Sequence, residues 1–181
     1  AEAAADRAGY AAALTELAYN TFFTGDVTRA EELTEQGLAA TRNAGTPREL
    51  ADALLLLAWQ AMHAGRHDLA HRLGTEGLDL FTTLKNTGRI ADALRLLGTN
   101  AQVSGEYDRA TLYLEKSLAL SRERGAENTA GQLLAHLGHV ALVTGDVSRA
   151  RTLGTRSLDT ARRYADQWSV AMALTQLGHA E

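Results

Sequence analysis

The hexapeptides GDVTRA (25–30), GRHDLA (65–70), GEYDRA (105–110) and GDVSRA (145–150) are four versions of one phrase, set 40 residues apart. Each opens on a glycine (Gly25, Gly65, Gly105, Gly145) and closes on an alanine (Ala30, Ala70, Ala110, Ala150). A fixed period of this length marks a repeat architecture, in which each unit buries its apolar face only against its neighbours.

The residues around the phrase repeat as well. Leu14, Leu54, Leu94 and Leu134 stand eleven before the glycines, Leu17, Leu57, Leu97 and Leu137 eight before, and Leu174 and Leu177 continue both series. The next residue is always small: Ala18, Ala58, Gly98, Gly138 and Gly178. Thirteen past each glycine comes Leu38, Leu78, Leu118 or Leu158. Apolar residues three and four apart signal helices. Each unit therefore reads as helix A, a glycine turn and helix B. A helices are predicted near 7–23, 47–63, 87–103, 127–143 and 167–180, and B helices near 29–43, 69–84, 109–124 and 149–164.

Helix starts carry their own signals. Thr46, Pro47 and Glu49 form a capping box with proline at the first helical position, and Asn86 and Asp166 take the Thr46 place later, whereas Ala126 breaks the pattern. Thr28, Asp68, Asp108 and Ser148 are the expected caps of the B helices, with Thr28 and Glu31 as a second box.

With one proline, 6 % aromatic residues and an Ala- and Leu-rich composition, the expected class is all-α. The repeats fall at 7–45, 46–85, 86–125 and 126–165, with a partial one at 166–181, in one continuous domain over 1–181. The chain opens on Ala1 and stops inside a helical pattern, so it is read as a piece of a longer protein.

The small residue at Ala18 and its equivalents, the leucine before it and the alanine twelve later resemble the tetratricopeptide repeat (TPR) fingerprint. The period of 40 exceeds the usual repeat, Leu14 and its equivalents replace the large aromatic of helix A, and Arg42, Thr82, Arg122 and Arg162 stand where a closing proline is expected. The longer period is similar to repeats of kinesin light chains and of regulatory regions of large bacterial LuxR-type and antibiotic-regulatory transcription activators. The resemblance implies a right-handed superhelical solenoid of antiparallel helix hairpins, four plus one further helix, with ligands along a concave wall of A helices.

On that wall the resemblance places Thr15, Tyr19, Phe22 and Phe23, then Leu55, Trp59, Met62 and His63, then Asp92, Arg95, Thr99, Gln102 and Val103, then Gln132, Ala135, His139, Leu142 and Val143. The groove starts aromatic and becomes polar. Rings and thioethers give large contact area at modest entropy cost, which suits a helical or extended apolar peptide. The partner groove is read as Tyr19, Phe22, Trp59, Met62, His63, Arg95, Thr99, Gln102, His139 and His179. The chaperone-tail clamp of the family needs a basic residue at the Thr15 position of its repeats, and Arg95 alone supplies one.

Other functions lack their residues. The net charge of −4 gives no basic face for nucleic acid. His63, His67 and His71 straddle the Gly65 turn, and His136 and His139 lack a completing cysteine or carboxylate pair, so no metal is expected. His139 and His179, at equivalent positions, are a candidate pair for a polar or anionic ligand. No nucleophile motif or phosphate loop is present, so neither catalysis nor a cofactor is expected. With no cysteine, no apolar run of spanning length and no basic-then-apolar leader, the expected location is the cytoplasm. Arginine supplies sixteen of the eighteen basic residues, a bias of GC-rich bacterial genomes.

The expected function is a non-catalytic protein or peptide interaction scaffold, serving as a regulatory module of a bacterial signalling or transcription-regulator protein. The alternative is a small-molecule or peptide-pheromone sensor that controls an attached effector. Trp168, Leu174 and Leu177 should be partly uncovered, which makes the C-terminal end a candidate for self-association.

Overall fold

A computed structural model describes residues 2–44 and 46–179, with side chains throughout except at 2–8, 11, 12, 23, 43 and 44. The expectation for Phe23 therefore concerns a side chain outside the described residues. All regular structure among the described residues is helical: α1 (Glu2–Phe23), α2 (Val27–Ala44), α3 (Pro47–His63), α4 (His67–Thr83), α5 (Thr87–Val103), α6 (Tyr107–Glu123), α7 (Glu127–Val143), α8 (Val147–Arg163) and α9 (Gln167–His179). Odd-numbered helices are the A helices and even-numbered ones the B helices. The fold is an all-α, TPR-like stack of helix hairpins.

Except for α1, which begins at Glu2 rather than near residue 7, the A helices begin and end where the periodicity places them. Thr46 accepts from the Glu49 N–H at 3.3 Å while the Glu49 carboxylate accepts from the Thr46 N–H at 2.8 Å, the expected box. Asn86 and Asp166 cap α5 and α9 by accepting from the N–H of Arg89 and Ser169, at 3.2 and 3.1 Å.

The B helices start two residues earlier than predicted. Their caps are not Thr28, Asp68, Asp108 and Ser148, which lie inside the first turn. Asp26 and Asp146 accept from the N–H of Arg29 and Arg149, at 3.1 and 3.0 Å, and Arg66 and Glu106 occupy the same place with no side-chain cap. The reason is the tightness of the turn. Gly25, with φ of 95°, reverses the chain in a single left-handed residue, so the next residue, Asp26, is already the cap of the new helix.

The chain forms two compact units, residues 1–96 and 97–181, and the boundary falls within α5. In the first unit Leu14 and Ala18 of α1 pack with Leu33 of α2, joined by Leu56 of α3, and Ala61 and Met62 of α3 pack with Ala70 of α4. In the second, Leu114 and Leu118 of α6 pack with Leu133, Leu134, Leu137 and Val140 of α7. Gly98 approaches Leu114 so closely that a Cβ there would stand 2.7 Å from the Leu114 Cγ.

Two repeated leucines depart from the core role expected of their series. Leu17 is 52 % exposed and Leu174 49 %. The Leu17 series faces the B helix before it, as Leu177 does against Gly154 of α8, and no described B helix precedes α1. The Leu14 series faces the B helix that follows, as Leu14 does with Leu33, and none is described after α9.

Candidate functional site: an aromatic groove in the first unit

A groove of about 520 Å³ opens on the A helices of the first unit. α1 contributes Thr15, Glu16, Tyr19 and Phe22, α3 contributes Glu49, Asp52, Leu55, Leu56 and Trp59, and α5 contributes Arg89, Asp92 and Arg95. These side chains meet because positions three and four apart share one face of a helix and successive A helices pack side by side. Of the predicted residues the structure thus brings Tyr19, Phe22, Trp59 and Arg95 to one surface.

His63 lies at the end of this aromatic set, its ring centroid 4.6 Å from Trp59 and 5.5 Å from Phe22. Burial pushes its pKa below the ordinary 6.5. Met62 does not belong to the groove. It is 7 % exposed, in the cluster with Ala61 and Ala70, so it is a core residue. Its position in α3 is turned toward α4.

The charged wall is organised by Arg89, which the sequence reading passed over. Its Nε donates to Asp52 Oδ1 at 2.8 Å, a second guanidinium nitrogen also binds Asp52, and Nη1 reaches Asp92 Oδ2 at 3.3 Å. The guanidinium also lies 5.4 Å from the centre of the Phe81 ring. Partners 37 residues away in sequence gave no local signal, although one repeat period does separate Asp52 from Asp92.

The remaining predicted residues lie in the second unit. Gln102 joins two histidines there: its Nε2 donates to His139 Nδ1 and its Oε1 accepts from His136 Nδ1, each at 2.9 Å. His136 in turn stacks on Trp168 at 5.2 Å. Thr99 is half-buried and His179 is exposed. The polar ladder continues where Gln132 Nε2 donates to Asp166 at 2.9 Å. Burial opposes ionisation of Asp166, but the donors Gln132 and Ser169 outweigh it and hold the carboxyl below the usual range. Gln102, His136, His139, Gln132 and Asp166 are thus linked to one another by side-chain hydrogen bonds between helices.

Among the described residues no three His, Asp or Glu side chains stand close enough to hold a metal ion, and no helix is long and apolar enough to cross a membrane.

Hairpin repeats of this kind and a groove on their A helices define a TPR-like repeat protein by fold. No family model matches the chain, and no curated protein sequence matches it. Solved structures do. A Rap protein complexed with Competence and Sporulation Factor is similar over 92 % of this chain and 47 % of its own, at 16 % identity and a TM-score of 0.81. Aspartyl phosphate phosphatase F from Bacillus subtilis is similar over 94 % and 45 %, at 11 % identity and a TM-score of 0.85. A kinesin light chain with nearly identical TPR-like repeats from Podosopora anserina is similar over 93 % and 83 %, at 18 % identity and a TM-score of 0.75. The chain spans about half the length of the first two.

Proposed function

We propose that the chain is a non-catalytic recognition module that binds a protein or peptide segment in the groove of its first unit. It would serve there as a regulatory part of a bacterial signalling or transcription-regulator protein. One observation carries the reading: Tyr19, Phe22, Leu55, Leu56 and Trp59 line a single open groove. Tyr19 is 52 % exposed, and large apolar residues left at the surface of a concave wall are the usual anchors of a partner. The likeness to a Rap protein complexed with Competence and Sporulation Factor supports a factor-binding role. The test is selection of a random heptapeptide library on the immobilised chain, with Trp59→Ala as the control. Recovery of binders that Trp59→Ala weakens at least tenfold supports the reading, and no enrichment over a bare surface contradicts it.

A sensor reading has one observation in its favour, since about 520 Å³ is within the range of small-ligand sites. Thermal stabilisation by a small molecule that Trp59→Ala abolishes would favour it over a scaffold. The non-catalytic part of the proposal is checked by assaying acyl phosphate hydrolysis, because one similar structure is a phosphatase by name. Self-association through the exposed Trp168 and Leu174 of α9 belongs to the same proposal, and light scattering over a concentration series tests it.

A further inference from the structure

The lining of the groove carries four carboxylates, Glu16, Glu49, Asp52 and Asp92, against the guanidiniums of Arg89 and Arg95. By that sum the groove should attract a basic partner. The pairing within it changes the answer. Arg89 spans Asp52 and Asp92, and Glu49 is committed to the Thr46 N–H at 2.8 Å. Two charges of the lining are left with neither an ion pair nor a hydrogen bond among the described residues, one of each sign. Arg95 is one, and its Nε is buried with no hydrogen-bond partner. Glu16, exposed on α1, is the other.

These two charges enter the groove from different helices that both adjoin α3. Arg95 stands on α5, Glu16 on α1, and Leu55, Leu56 and Trp59 of α3 form the apolar strip between them. Packed helices lie about 8–10 Å apart, so two steps cover roughly 16–20 Å. An extended chain covers that distance in about five residues.

We propose that the groove takes a dipolar, amphipathic peptide segment laid across α3. An acidic group meets Arg95, an aliphatic or aromatic side chain lies on Leu55 and Trp59, and a basic group meets Glu16. This deepens the peptide-recognition reading and rests on it. A carboxylate fits Arg95 because it offers two acceptor oxygens to a planar fork that already has a buried N–H without an acceptor. The central side chain fits because the strip is apolar and one turn of helix wide.

The experiment is the heptapeptide selection repeated on Arg95→Glu, Arg95→Gln and Glu16→Arg, each checked for native helicity and cooperative melting. Wild type should enrich peptides with an acidic and a basic residue on opposite sides of an apolar or aromatic one. Arg95→Glu should exchange the acidic preference for a basic one. Arg95→Gln, which keeps a donor and carries little risk to folding, should lose the acidic preference and weaken wild-type binders about tenfold or more. Glu16→Arg should remove the basic preference alone. Apolar or purely basic binders that Trp59→Ala weakens but Arg95→Gln does not would overturn the inference while peptide recognition stands. No binder at all would overturn both.

Discussion

His63 lies tilted on Trp59, with ring centroids 4.6 Å apart and the planes at 36°. Burial lowers the pKa of this histidine from 6.5, so its neutral form is the one the fold prefers. The sign follows from linkage: the histidine's contribution to stability is fully present above 6.5 and is lost as pH falls through the lower, folded value. An imidazolium stacked on an indole quenches its emission. In a Trp168→Phe background, Trp59 fluorescence should fall on acidification with a midpoint below 6.5, and a midpoint at or above 6.5 would show that the stack does not bury the ring.

Arg89 holds Asp52 and Asp92 together in the wall of the groove. Its loss leaves two half-buried carboxylates side by side, so Arg89→Met should destabilise the first unit by about 1–2 kcal/mol, less than a fully buried pair because water screens these groups. Asp52→Asn in the same chain should return a good part of that loss. A double-mutant cycle by urea denaturation measures the coupling, and additive effects would mean that the pair is independent.

Gln60 is wholly buried, and neither atom of its amide has a hydrogen-bond partner. One period later in sequence the place is taken by Asn100, and two periods later by Val140, which sits in an apolar cluster. Gln60→Leu removes two unsatisfied polar atoms and should raise stability by about 1–2 kcal/mol. Equal or lower stability in a thermal melt would show that the amide has a partner in solution.

Gly98 and Gly178 occupy the same repeat position with opposite surroundings. A methyl group at Gly98 would meet the Leu114 side chain at 2.7 Å and its backbone nitrogen at 3.2 Å, whereas one at Gly178 meets nothing within 4 Å. Gly98→Ala should cost about 1–3 kcal/mol through overpacking, and Gly178→Ala should be neutral or slightly stabilising because alanine favours helix. Similar effects at the two sites would contradict the packing.

The period made most of the fold legible. Leucine and small-residue spacing placed the A helices, and the Thr46–Glu49 box is local chemistry that sequence displays directly. The B-helix starts were misplaced because the left-handed glycine shortens the turn, and nothing in GDVTRA distinguishes Asp26 from Thr28 as the cap except that geometry. Leu17 and Leu174 share their neighbours' pattern and differ only in what packs on them.

The groove was partly legible for the same reason. Repeat register brought Tyr19, Phe22, Trp59 and Arg95 to one face, but register alone could not separate Met62, whose side chain enters the core, from Trp59 three residues earlier. The Arg89 bridge and the Gln102 link between His136 and His139 join residues 34 to 37 apart, and such cross-helix pairs emerge only once side chains are placed.

The central claim is that recognition takes place in the groove of the first unit. It is tested most directly by mapping backbone amide shifts of the labelled chain as a selected heptapeptide is added. The account predicts perturbations concentrated at residues 15–22 of α1, 49–59 of α3 and 89–95 of α5, abolished by Trp59→Ala. Perturbations confined to the arginine-lined surface of Arg122, Arg156 and Arg163, or to α9, would contradict it.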